Sequence, residues 1–243
     1  MKILRIREVE EVEENIALNT LGTIIHETLK ALYVPFVGKF ISENDILNCF
    51  KLLDNEVLKQ FKLVYKEGEI KKGRNLLAFE VAKRNVTNFL KVELDNIKEG
   101  DEIKILAIEE TFERTLTHPG LAFPVLIKGN VNRIEQRNCI IRIIDYKTGK
   151  VDKANVILKN WDGLVADIKN DKIIQVLAYA LPIEAGIISF KNLKSGFLPF
   201  GFKEEKDVNS IINSEIMRDY LEQIVLLLNE ILNIEITFEE KIV

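Results

Sequence analysis

The chain has 243 residues, of which 47% are apolar and 30% charged, and a net charge of −4. That balance excludes collagen-like, mucin-like and wholly disordered chains, and the acidic net charge is not the footprint of a general polyanion binder. No run approaches the roughly 18 apolar residues of a membrane span. The N-terminus, MKILRIREVEEVEE, lacks the apolar core of a signal peptide. The two cysteines, Cys49 and Cys139, exclude a disulfide framework and any four-cysteine zinc or iron–sulfur site built within the chain. A reducing, cytoplasmic compartment is expected.

In chain order the pattern is helical, then β, then mixed. Leu21, Ile24, Ile25, Leu29 and Leu32 recur at helical spacing and predict a helix over 16–33. A second helix is predicted over 43–66, with Ser42 as N-cap and Ile46, Leu47, Phe50, Leu53, Leu58, Phe61 and Leu63 as apolar positions. A third, over 74–95, carries Leu76, Phe79, Ala82, Val86, Phe89 and Leu90, with Gly68 and Gly73 punctuating before it. At Gly100-Asp101 the character changes. Strands are predicted over 102–117, 121–134 and 139–146, with Arg137-Asn138 as a tight hairpin between the last two. Further on come a helix over 172–181, a strand over 185–191, a long helix over 208–233 and a final strand over 234–239. No internal repeat or linker is evident. The expected architecture is one α/β domain over 1–243, with a helical part to about residue 100 and a mixed-sheet core beyond it.

Residues 145–150, Asp-Tyr-Lys-Thr-Gly-Lys, follow the strand Ile140–Ile144. Strand alternation puts Asp145 and Lys147 on one face, which by itself is also the pattern of a solvated ion pair at a strand end. Asn132, in Gly129-Asn130-Val131-Asn132-Arg133-Ile134, lies on the antiparallel partner and can approach Asp145. Gln175 and Tyr179 are i, i+4 neighbours on the 172–181 helix. His26, four residues after Gly22, lies on the flank of the first helix's buried face. Elsewhere, Cys49 and Cys139 read as small core residues, His118 as a surface turn residue before Pro119-Gly120, and Trp161 as a packing anchor. Lys71-Lys72-Gly73-Arg74 reads as a solvated turn, and the glutamates of 8–14 as a solvated helix start or tail.

This set resembles the RecB-type nuclease domain of the PD-(D/E)xK superfamily, with its early Gly-x-x-x-His, a strand Gly-x-x-Asp-Arg-Ile, then Asp-Tyr-Lys-Thr-Gly-Lys and a later Gln-x-x-x-Tyr. The match covers about residues 20–180. The resemblance implies a restriction-endonuclease-like fold, a mixed central sheet flanked by helices. It implies a Mg2+- or Mn2+-dependent DNA nuclease, exonucleolytic on single-stranded ends, acting in recombination or repair with a helicase subunit or domain as partner. Asp145 and His26 would be metal ligands. Lys147 would orient the attacking water and stabilise charge on the phosphate, while Gln175 and Tyr179 would hold the active site and the DNA strand. Glu109 or Glu110 would add a carboxylate, and Glu110 is expected among the metal ligands with Asn132. The chain would belong to the branch without an iron–sulfur cluster. Its start so close to the first motif suggests an excised C-terminal domain.

The chain departs from the pattern at Asn132, where the family has aspartate. An amide oxygen can still meet a metal but brings no charge, and a unit charge a few ångströms from a divalent ion is worth several kcal/mol at an effective dielectric of about 20. Three explanations stay open: a naturally degenerate domain, deliberate inactivation, or a substitute carboxylate. Glu135 is a poor substitute, because its odd offset from Asn132 puts it on the opposite strand face, and Glu109 and Glu110 are better candidates. A non-enzymatic alternative follows, in which the fold binds DNA or docks a helicase partner.

Overall fold

The computed structural model describes residues 17–65, 72–165, 167–179, 184–204, 207–209, 212–235 and 237. Three helices come first: α1 (Leu18–Tyr33), α2 (Glu43–Val64) and α3 (Gly73–Lys98). α2 starts where the sequence predicts, because the Ser42 hydroxyl accepts from the Asp45 N–H while the Asp45 carboxylate accepts from the Ser42 N–H. Ile24, Leu29, Ile46, Leu53, Phe61, Val86, Phe89 and Leu90 from these helices form one buried cluster. Leu47, Leu63 and Leu76, assigned above to the apolar stripes, are instead exposed, since the buried face of each helix is narrower than its apolar pattern.

A five-stranded sheet of order β1-β2-β3-β5-β6 follows. It comprises β1 (Ile103–Leu116), β2 (Val125–Arg137), β3 (Ile140–Lys147), β5 (Glu184–Ser189) and β6 (Phe197–Pro199). β3 and β5 are parallel and the other pairs antiparallel, so the expected mixed sheet between helices is the fold found. Strand alternation divides the side chains between two cores. Ile144, Tyr146, Ile188 and Phe190 pack on the α1–α3 side. Ile143, Ala185, Ile187 and Leu198 pack with α4 (Asp171–Tyr179) and α5 (Ser214–Leu232). A smaller sheet of order β4-β7-β8 is built from Ile157–Leu158, Gly201–Glu204 and Asp207–Asn209, its first strand falling between β3 and β5 in the chain. These short strands gave too little periodicity to be expected from the sequence.

Several boundaries move. The hairpin turn is Asn138-Cys139, one residue later than expected, because Arg137 pairs with Ile140. Both turn residues have positive φ, +50° and +67°, the backbone that a two-residue turn demands between twisted strands. Cys139 is therefore exposed at the turn and is not a core residue, whereas Cys49 is buried as expected. β2 begins at Val125, since residues 118–124 turn with His118 Nδ1 accepting from the Gly120 N–H at 3.0 Å. The last long helix starts at Ser214, capped by Asn213, whose side chain accepts from the N–H groups of Glu215 and Ile216; residues 207–209, expected to open that helix, form β8. Residues 234–235 are a turn, and most of the strand expected over 234–239 lies outside the described residues. So do the 8–14 glutamates, Gly68 and Lys71. Trp161 stacks on Phe202, ring centroids 5.5 Å apart, as a packing anchor does.

Arg133 is fully buried between the helices and the sheet. Its guanidinium pairs with Glu93 of α3 (3.0 Å) and Glu135 (2.5 Å) and lies over the Tyr33 ring of α1, 4.8 Å from its centroid. Arg137 pairs with the same two carboxylates and with Asp101. Burial alone would push the Glu93 carboxyl up; Arg133 and Arg137 outweigh it and hold it below its ordinary value. This placement also settles Glu135, which shares Arg133's face and turns away from Asn132.

Replacing Arg133 by Met leaves the buried carboxylates of Glu93 and Glu135 to share the guanidinium of Arg137, and urea denaturation should show a loss of about 3–5 kcal/mol. At Gly186, an added Cβ would run into the Leu198 carbonyl of β6. Gly186→Ala should therefore cost about 1–3 kcal/mol in the same measurement.

Candidate active site

The site forms where β2 and β3 part. Their ladder runs from Arg137↔Ile140 to Arg133↔Ile144, while β3 continues beside β5 through Lys147↔Ser189. Past the last β2–β3 pair, the Tyr146 N–H donates to Asn132 Oδ1 at 2.8 Å. The Asn132 side chain thus takes over from the backbone ladder exactly one residue beyond its end, satisfying a buried donor.

On the α4 side, Asp145 and Lys147 share a face as alternation requires. Lys147 Nζ lies 2.9 Å from Asp145 Oδ2 and donates to Gln175 Oε1 at 2.8 Å. Gln175 Nε2 donates to Asp145 Oδ1 at 3.0 Å. The three side chains close a triangle in which the amide of Gln175, on the second turn of α4, fixes both members of the ion pair. Asp145 is buried and Lys147 remains 30% exposed, so the ammonium is the member that solvent or a ligand can reach. Asp145 Oδ2 makes no hydrogen bond of good geometry besides that ion pair. Burial pushes the Asp145 carboxyl above its ordinary value, against the pull of Lys147.

α1 reaches the same strand end from the opposite face of the sheet. Gly22 makes this possible: a Cβ there would already touch Thr148 Oγ1 at 3.5 Å, so a larger side chain would push the helix away. One turn on, His26 packs edge-on against the Tyr146 ring and hydrogen-bonds the Tyr146 backbone. Its Nδ1 lies 3.4 Å from Asn132 Nδ2. Burial lowers the His26 pKa, with Asp145 opposing and Lys147 reinforcing that shift. The imidazole is therefore neutral at pH 7, the form that can accept a hydrogen bond or bind a metal.

The third approach is from β1. The register from Ile108↔Arg133 to Glu110↔Val131 sets Glu109 against Asn132. Glu109 has φ +50°, the left-handed region that a glutamate rarely adopts. It is half-buried and accepts from Asn132 Nδ2 at 2.9 Å and from Asn130 Nδ2. Burial raises its carboxyl, with the Asn132 hydrogen bond opposing. Glu110 is exposed and opposite Val131, so the carboxylate brought to Asn132 is that of Glu109.

The structure thus gathers His26, Asn132, Asp145, Lys147 and Gln175. Tyr179 lies in the last turn of α4, and its side chain is outside the described residues. Lys172, whose charge acts on Asp145, was not anticipated, and no sequence pattern marks it. Glu109 could have been separated from Glu110 by its register alone.

A family model for the PD-(D/E)XK nuclease superfamily matches residues 1–241, and the chain belongs to that superfamily. No curated protein matches the chain. Members of the superfamily are generally phosphodiester-hydrolysing nucleases that use Mg2+ or a similar divalent ion, which implies DNA as substrate. No described helix is long and apolar enough to cross a membrane.

The donors present do not complete a site for that ion. Taken singly they suit it: the buried carboxylate of Asp145, the half-buried one of Glu109 and a neutral imidazole. Among the described residues, however, no group of three or more His, Cys, Asp or Glu side chains could hold a metal together. At the position between His26 and Glu109, Asn132 presents its amide nitrogen, a hydrogen-bond donor, where a metal requires an acceptor. Its oxygen is turned to the Tyr146 N–H.

Asp145 holds its proton more tightly in the folded chain than in the unfolded one. Its contribution to stability is therefore full below the ordinary carboxylate range and is lost as pH rises through its raised value. With EDTA present, Asp145→Asn should unfold at a higher urea concentration than the unsubstituted chain at pH 7.5. That difference should shrink as pH falls toward 4, followed by circular dichroism.

Proposed function

We propose that this chain is a RecB-type DNA nuclease, exonucleolytic on single-stranded ends, with Mg2+ or Mn2+ as cofactor. In this reading residues 1–243 are one nuclease domain, acting in the cytoplasm in recombination or repair beside a helicase subunit or domain. The observation that carries it is the Asp145–Lys147–Gln175 triangle. An ammonium held by a carboxylate and an amide, and still open to solvent, is a fixed positive charge for a phosphodiester. Gln175 and Asp145 together keep that charge in place. Phosphate engagement by Lys147 would stabilise charge that builds on the non-bridging oxygens during hydrolysis. Neutral His26 and the carboxylates of Asp145 and Glu109 supply the donor types that the family's cation uses, although no step can be assigned through it with the donors as they stand.

One observation favours a second reading, a degenerate module that binds DNA or docks the helicase partner without cutting. It is the orientation of Asn132, which closes the position between His26 and Glu109 by hydrogen bonds.

A cleavage assay on linear single- and double-stranded DNA with Mg2+, then Mn2+, separates the two readings. The nuclease reading predicts that the unsubstituted chain cuts single-stranded ends and that Lys147→Ala cuts at least about 100-fold more slowly with its circular dichroism spectrum unchanged. Cleavage by Asn132→Asp alone would establish the second reading instead.

A further inference from the structure

The disagreement between donor chemistry and convergence centres on one atom, Asn132 Nδ2. It lies 2.9 Å from Glu109 Oε1 and 3.4 Å from His26 Nδ1. An amide nitrogen has two hydrogens, and these two acceptors lie on either side of it. Asn132 Oδ1 is fixed by the Tyr146 N–H, so the amide cannot turn over without abandoning a buried donor. His26 also hydrogen-bonds the Tyr146 backbone, and in the neutral tautomer that carries its proton on Nε2, Nδ1 is the acceptor for the amide.

We infer that the Asn132 amide occupies the role of a cation, bridging Glu109 and His26, and that Glu109 is a corner of a divalent-cation site closed by that bridge. Replacing Nδ2 by oxygen would turn the donor into a third acceptor and leave the rest in place. Mg2+ holds its ligands at about 2.1 Å in an octahedron, so adjacent ligands stand about 3.0 Å apart. The present separations, 2.9 and 3.4 Å, bracket that edge. An aspartate at 132 would face Glu109 across the same gap, and two carboxylates so close require a cation or a proton between them. In the unsubstituted chain the amide meets that requirement with no ion present. Glu109 meets Asn132 from a left-handed backbone position, φ +50°.

This inference deepens the nuclease reading by naming a cation-site residue, but its test reads binding and stability and not cleavage. Mn2+ would be titrated calorimetrically into the unsubstituted chain, Asn132→Asp, Asn132→Asp/Glu109→Gln and Asn132→Asp/Glu110→Gln. Asn132→Asp is expected to bind Mn2+ at least tenfold more tightly than the unsubstituted chain. Adding Glu109→Gln should remove that gain, and adding Glu110→Gln should leave it. In EDTA, Asn132→Asp should melt below the unsubstituted chain, and saturating Mn2+ should restore its Tm. Equal Mn2+ affinity in the unsubstituted chain and Asn132→Asp would overturn the bridge. Indifference of the Asn132→Asp affinity to Glu109→Gln would overturn the role of Glu109. A variant that stays unfolded in Mn2+ would overturn both. A chain that cuts no DNA would count against the nuclease reading alone.

Discussion

The buried guanidinium of Arg133 is the interaction on which the rest of this structure depends. It ties together three elements far apart in sequence: α1 through Tyr33, α3 through Glu93, and β2 through Glu135. Charges so deep are tolerated only when every partner is present, so the network requires the helices to sit in one position on the sheet. Nonspecific apolar packing of Leu and Ile could accept several positions. Fixing α1 this way fixes where His26 arrives, and fixing β2 fixes where its next residue, Asn132, projects on the other face.

Alternation then does the work of sorting. Arg133, Glu135, Ile144 and Tyr146 face the helical part, while Ile143, Asp145 and Lys147 face α4. A site drawing on both faces can form only where the sheet opens, and it opens one residue after the Arg133↔Ile144 pair. The Gly22 position and the Asn132–Tyr146 hydrogen bond are two conditions for that opening: one lets α1 approach, the other satisfies the backbone N–H left behind.

Most polar groups of the site find their partners within it, Asp145 Oδ2 having only the ion pair with Lys147. Lys147 compensates Asp145, Gln175 bridges the two, and Asn132 joins His26 to Glu109. The Asp145 and Glu109 carboxyls, both pushed above their ordinary values by desolvation, are the residual sign that the arrangement is costly. In the proposed reading, the Asn132 amide stands where a carboxylate would set a further negative charge beside Glu109, and its hydrogen bonds balance charge with no ion.

The sequence by itself determined a good deal. Helical spacing, the Ser42–Asp45 cap and the alternation of β3 set the class of fold, since they depend on residues within a turn or two of each other. The spaced Gly22, His26, Asn132, Asp145, Lys147 and Gln175 were legible as one constellation through the family pattern. That Glu135 is a poor substitute ligand follows from strand parity. Only the tertiary structure decided which of Glu109 and Glu110 meets Asn132, because that depends on cross-strand register and a left-handed backbone. It decided that Cys139 is exposed, because the turn slipped by one residue with the pairing of Arg137 to Ile140. It also decided which way the Asn132 amide points. Neighbouring residues cannot settle that orientation: it is fixed by a backbone N–H fourteen positions on and by acceptors on two other elements, which only the folded chain brings within hydrogen-bond reach.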